Sequence, residues 1–190
     1  ILLQMVFDKT NRKVLGIQGL GPMNDSLLAR INAGAGLIAK GATITDFSNL
    51  ALAYAPPFST AVDALHSTAN AADNIAAGRL RTVSIENFMT WMDTPHAKPD
   101  WAALDIRHPK EAAEFVDTFG TLWQAIPYVN VRSRFQELPD DKMFIIICDA
   151  GTRSSEVQVF LDSIGLTNNL VLGGGFNAIR RIGATWWPSQ

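Results

Sequence analysis

The run Met143-Phe144-Ile145-Ile146-Ile147-Cys148 has no polar position. A strand with no polar face has to be covered on both faces. Asp149-Ala150-Gly151-Thr152-Arg153 follows as a short loop, and a helical pattern begins near Ser154. A strand that feeds a helix through a tight loop, with the next short strand at 169–172, is the repeating unit of a parallel sheet. The surrounding sequence keeps this rhythm. Short apolar segments at 102–107, 125–128, 143–148 and 169–172 alternate with helical patterns at 85–92, 109–115, 131–138, 153–164 and 176–182. Ser84 is suited to cap the first of these helices, Pro109 to open the second, and Pro139 to close the third. The expected fold of this half is a parallel sheet with helices on both faces. Sites in such sheets lie beyond the carboxyl ends of the strands, and Cys148 stands at such an end.

The first half has a different rhythm. Residues 1–7 and 13–19 are apolar runs around the polar cluster 8–12, the pattern of an antiparallel hairpin. Helical spacing over 24–40 is expected to start at Asn24 or Asp25 and stop at Gly41. Ala55-Pro56-Pro57 breaks the chain, and an alanine-rich helix is expected over 59–77 with Gly78 after it. Its small face (Ala61, Ala64, Ala69, Ala72 and Ala76) fits either an ordinary packed helix or a surface pressed on another domain or subunit. Domains are expected over 1–78 and 82–190.

Cys148 is the only cysteine among 190 residues, which excludes an internal disulfide and makes a reducing cytoplasm the default location. A net charge of −2 gives no nucleic-acid or membrane surface, and no stretch is apolar for long enough to span a bilayer. His66, His96 and His108 lack ligand spacing, so no metal site is expected. The sequence opens on Ile1-Leu2-Leu3 as a strand already under way, with no signal-peptide pattern. It is expected to be a piece of a longer chain.

A cysteine at a strand end, facing a helix N-terminus across a tight loop, is placed for nucleophilic work, because the helix terminus favours negative charge on sulfur. The backbone amides of 149–153 can form an anion nest, with Gly151 supplying the curve, Thr152 a hydroxyl and Arg153 a positive charge. Such a bowl can hold a phosphate or a persulfide sulfur. The spacing of cysteine to arginine is C-x4-R, one residue shorter than the C-x5-R of phosphatase loops, and the smaller bowl suits sulfur. Asp149 is unexpected beside a nucleophile, since it repels negative charge; it either faces solvent or tunes the site against small dianions. Asp105 and Arg107 are substrate groups or a structural pair.

Cys148-Asp149-Ala150-Gly151-Thr152-Arg153-Ser154 resembles the active-site loop of rhodanese-like sulfurtransferases. Leu104-Asp105-Ile106-Arg107 with Glu111 and Glu114-Phe115, the pair Ile126-Pro127, and Val171-Leu172-Gly173-Gly174-Gly175-Phe176-Asn177-Ala178 resemble further segments of that family. Ile179 stands where family members often carry Trp. The first half, through Lys13-Val14-Leu15-Gly16-Ile17-Gln18-Gly19-Leu20-Gly21 and Leu50-Ala51-Leu52-Ala53-Tyr54-Ala55-Pro56-Pro57-Phe58-Ser59, then Asp63 and Ala69-Asn70 to Asn74, resembles the interface domain of flavin-dependent pyridine nucleotide–disulfide oxidoreductases, closest to the coenzyme A-disulfide reductase and NADH oxidase branch. The resemblance implies an α/β rhodanese-like domain preceded by a partial α+β dimerisation domain, with Cys148 carrying sulfur as a persulfide. It implies small sulfur donors, thiol acceptors and a homodimeric parent with FAD-binding domains, using FAD, NAD(P)H and often coenzyme A. It also leaves open a dispensable rhodanese module that only docks subunits. No G-x-G-x-x-G fingerprint is present, so this chain alone is expected to bind neither FAD nor NAD(P)H. The resemblance implies that Tyr54 approaches a partner's active site, where a tyrosine can donate a proton; the other reading is a packed ring with its hydroxyl satisfied. Trp186 and Trp187 would anchor against the absent domains.

Overall fold

The computed structural model describes residues 1–22, 26–57 and 59–183. The chain forms two compact units, Ile1–Arg79 and Leu80–Gln190.

The first unit is α+β. Strands β1 (Leu2–Phe7) and β2 (Val14–Leu20) pair antiparallel, Leu2 opposite Leu20. Asp8 holds the turn by accepting the Thr10 amide at 2.7 Å. Helices α1 (Leu27–Ile38), α2 (Ile44–Ser48) and α3 (Ala64–Ala76) follow, and Val14, Ile44, Phe47, Leu65, Ala69 and Ala72 form the core. The expected caps Asn24 and Asp25 lie outside the described residues, as do Phe58, Trp186 and Trp187. Helix α3 starts five residues later than its alanine content suggests. Asp63 is its N-cap, accepting the Leu65 amide at 2.9 Å and anchored to Arg30 at 2.8 Å, so the residues before it are spent on an irregular approach. Ala69 and Ala72 face this unit's own core. The short α2 carries no hydrophobic period and is set by its cap, with the Thr43 amide bonded to Asp46 at 2.7 Å.

The second unit begins with β3 (Thr82–Val83) and α4 (Ile85–Asp93), capped by Ser84, which accepts the Asn87 amide at 3.2 Å. Then come β4 (Trp101–Asp105), α5 (Pro109–Phe119), β5 (Trp123–Ala125), α6 (Val131–Arg134), β6 (Met143–Ile147), α7 (Thr152–Ser163), β7 (Asn169–Leu172) and α8 (Gly175–Ile182). The five strands form one parallel sheet in the order β3-β7-β6-β4-β5. Strand β5 lies two residues earlier than expected. Pro127 has no amide for a ladder, and Tyr128–Asn130 turns into a 3-10 helix. Helix α6 is one turn of α-helix continued by a second 3-10 turn, Phe135–Glu137.

The pleat sorts the sheet residues. Ala103, Ile145 and Ile147 pack with Phe88, Trp91, Phe115 and Phe176 on one face, whereas Leu104, Phe144, Ile146 and Cys148 pack with Val131, Val157 and Leu161 on the other. Helices α4, α5 and α8 therefore cover one face, α6 and α7 the other. The topology reverses between β4 and β6, where the chain runs outward to β5 on one side and β7 on the other. The crevice beyond the carboxyl ends of those two strands is where an open α/β sheet holds its ligand, and Cys148 follows the end of β6.

At the edge, Arg81 holds β3 against α7 and β7. Its guanidinium donates to both Asp162 carboxylate oxygens, at 2.6 and 2.9 Å, and to the Asn169 side-chain Oδ1 at 3.0 Å, while the buried Gln158 side chain bonds the Arg81 backbone amide at 2.9 Å and carbonyl at 3.1 Å. The Arg81 guanidinium holds the Asp162 carboxyl below its ordinary range, outweighing its partial burial. A depressed carboxyl pKa adds stability above the unfolded value and loses it as pH falls through the folded one. Asp162→Asn should therefore cost about 1 kcal/mol at neutral pH. The gap from the unchanged protein should close as pH falls below about 4. Denaturant unfolding at both pH values checks this, and an equal gap at both would contradict it.

Candidate active site

Cys148 continues the row of Phe144 and Ile146 and is 1% exposed. The loop after it turns at Gly151, which has φ +92° and caps α7. That backbone favours glycine. The Gly151 amide donates to the Cys148 Sγ at 3.1 Å. Ser155 makes the first intrahelical bond, to the Gly151 carbonyl at 3.0 Å. The amides of Thr152, Arg153 and Ser154 thus belong to the first turn, where an α-helix has no carbonyl of its own to offer them.

Helix α8 sets the loop's direction. The Phe176 amide donates to the Cys148 carbonyl at 2.8 Å and the Asn177 amide to the Asp149 carbonyl at 2.9 Å. In a trans peptide the amide points opposite to the carbonyl of the same plane. The Asp149 and Ala150 amides therefore point away from α8. With the Gly151 amide on sulfur and the start of α7 alongside, the loop has the backbone geometry to serve as an anion nest with a thiol at its base. Gly175 makes the close approach possible. It has φ +66°, and a Cβ there would sit 2.5 Å from the Asp149 carbonyl oxygen and 2.6 Å from the Ala150 nitrogen.

At the rim, Arg153 forms an ion pair with Asp149, with side chains 42% and 31% exposed. Asp149 is thus directed at the arginine of its own loop. Tyr128, whose amide bonds the Ile106 carbonyl at 2.9 Å beyond the end of β4, donates its hydroxyl to Glu156 on α7. The Glu156 carboxylate raises the Tyr128 phenol above its usual pKa, while Arg132 and Arg153 pull it down. Tyr128, Arg132 and Glu156 are neighbours of the loop that the sequence motifs do not mark.

Asp105 and Arg107 are a fully buried pair. Asp105 accepts from the Arg107 amide and Nε at 3.0 Å each, from its Nη2 at 2.6 Å and from Trp123 Nε1 at 3.1 Å. The Arg107 guanidinium lies 3.8 Å from the Phe176 ring centroid and 5.1 Å from that of Phe115. Its Nη1 has no hydrogen-bond acceptor, and the two ring faces offset part of that loss. The pair thus supports Phe176, the residue whose amide holds the Cys148 carbonyl. Tyr54 belongs to the first unit and is 60% exposed in an irregular segment.

Of the histidines, His66 bonds the Leu50 carbonyl at 2.7 Å, and His108 caps α5, accepting the Lys110 amide at 3.3 Å. Among the described residues, no three His, Cys, Asp or Glu side chains group closely enough to hold a metal ion, and no helix is long and apolar enough to cross a membrane.

The glycine contact has a measurable consequence. Gly175→Ala should push the loop off α8, lower stability by more than about 2 kcal/mol through strain and clash together, and slow alkylation of Cys148. Gly165→Ala is the control, since Gly165 has φ +87° but open space around its missing Cβ. It should cost about 1–2 kcal/mol and leave the alkylation rate unaltered. Equal alkylation rates in the two variants would contradict the role assigned to Gly175.

No protein-family model and no curated protein matches the chain. Solved structures do. A NAD-dependent persulfide reductase from A. fulgidus matches at 30% identity over 91% of this chain, with a TM-score of 0.75. The reduced CoADR-RHD of Bacillus anthracis matches at 29% identity over 92% of this chain, with a TM-score of 0.78. A rhodanese-related protein from Thermoplasma volcanium is 24% identical over 55% of this chain and 94% of its own, with a TM-score of 0.44. The chain spans 29% of the length of each of the first two structures. Coverage above nine-tenths takes in both units, and the second unit, a five-stranded parallel sheet with helices on both faces, has the rhodanese-like fold.

Proposed function

We propose that the second unit is a sulfurtransferase that carries sulfur as a persulfide on Cys148. The observation that carries this reading is the Gly151 amide on the Cys148 sulfur, at the floor of a loop whose carbonyls are turned onto α8. In the first half-reaction the Cys148 thiolate attacks the outer sulfur of a donor RS–SH. A Cys148–S bond forms, the donor S–S bond breaks and RS⁻ leaves, giving Cys148–S–SH. In the second, an acceptor thiolate attacks that outer sulfur, and Cys148 departs as a thiolate. The amides of 149–153 stabilise the anion in both halves, and the covalent intermediate divides one transfer into two steps.

We further propose that the chain belongs to a longer, dimeric, flavin-dependent reductase of coenzyme A disulfide, persulfide or polysulfide in the cytoplasm. Two similar structures, one of them a persulfide reductase, are more than three times as long as the matched region, which supports this reading. The first unit would then serve as part of the dimerisation domain, with Tyr54 near a partner's site. FAD and NAD(P)H would be held by parts of the parent outside this chain, where they would supply reducing equivalents. With no second cysteine here, the acceptor thiol must come from another domain, another chain or a small molecule.

Mass spectrometry after treatment with a sulfane-sulfur donor tests the first proposal. Cys148 should gain one sulfur that cyanide or dithiothreitol removes. Cys148→Ser should gain none and lose at least about a thousandfold in turnover. An unmodified mass, with the thiol still open to alkylation, would contradict the reading. Cys148→Ser that left a full-length reductase fully active would favour a docking module instead.

A further inference from the structure

The rim of the site carries two carboxylates and two guanidiniums. Asp149 is paired with Arg153, Glu156 accepts the Tyr128 hydroxyl, and Arg132 and Arg153 both act on that hydroxyl. The one basic side chain of the loop is therefore already neutralised before any donor arrives. A small dianion has to displace Asp149 from Arg153 or settle beside its carboxylate, and either is unfavourable for a second negative charge. A donor with at most one charge near the transferred sulfur avoids most of that repulsion, and the amides of 149–153 need only one anionic atom to bind.

We propose that Asp149 selects the sulfur donor by charge. With its carboxylate seated on Arg153, the site accepts small organic persulfides and turns away thiosulfate. The proposal rests on the reading of Cys148 as a persulfide carrier. For the favoured donor, the Cys148 thiolate attacks RS–SH and releases RS⁻. For the disfavoured one, it would attack the outer sulfur of thiosulfate, form Cys148–S–S⁻ and release sulfite, with the dianion drawn against Asp149.

The test measures single-turnover sulfur loading of Cys148 by mass spectrometry. The donors are thiosulfate and the persulfide of 2-mercaptoethanol, and the proteins are the unchanged chain, Asp149→Asn and Asp149→Ser. Freeing Arg153 should raise the ratio of thiosulfate rate to persulfide rate about tenfold, the scale on which one site charge alters capture of a small ion. The thiosulfate rate of the variants should also fall more steeply with added salt, because an unpaired arginine is screened. A ratio that rises less than twofold in both variants, or falls, overturns the proposal. If neither donor loads Cys148 in any of the three proteins, the persulfide reading itself fails, and that outcome is distinct from an altered preference.

Discussion

Two hydrogen bonds decide which way the Cys148 loop faces: the amides of Phe176 and Asn177 hold the carbonyls of Cys148 and Asp149. With those carbonyls occupied, the amides of the following residues have to point the other way. An open strand-to-helix loop could turn either edge of its backbone toward a sulfur. Here α8 takes the acceptor edge, leaving the donor edge for an anion. The same bonds satisfy amides at the start of α8 that its own helix cannot satisfy. These two bonds thus cap a helix and orient the loop.

The buried Asp105–Arg107 pair belongs to the same construction. Isolated, a buried ion pair is weak evidence for stability. In this one the Asp105 carboxylate accepts from Trp123 and the Arg107 guanidinium lies under the Phe176 ring, so β4, β5 and the start of α8 are joined through one ion pair. Its chemical consequence is indirect. Neither side chain is exposed, and what the pair sets is the position of the residue that grips the loop.

The strand and helix pattern of the second unit was legible because its strands are short, apolar and separated by helical spacing. Residues 169–172 and the Ser84 cap were marked directly by residue type. Strand β3 was not, since two residues carry no period and the strand exists through its pairing with β7 and the Arg81 network. The displacement of β5 and the late start of α3 have local causes, Pro127 and the Asp63 cap, that composition alone does not rank. The place of Cys148 after β6, the turn at Gly151 and the start of α7 beside Arg153 could be read from spacing. The pairing of Asp149 with Arg153 could be suspected, at four residues' separation on a tight loop. The approach of Gly175 to Asp149 and of Tyr128 to Glu156 could not, because each joins segments more than twenty residues apart.

In the proposed transfer the backbone amides of the loop, rather than a side chain alone, hold the sulfur that Cys148 would accept. Amide nitrogen and proton shifts of Ala150, Gly151 and Thr152, recorded before and after sulfur loading of the full chain, test it most directly. These amides should move together downfield as the loaded sulfur accepts their hydrogen bonds, while those of Phe176 and Asn177 stay in place. Loading that leaves the loop amides unmoved would contradict it.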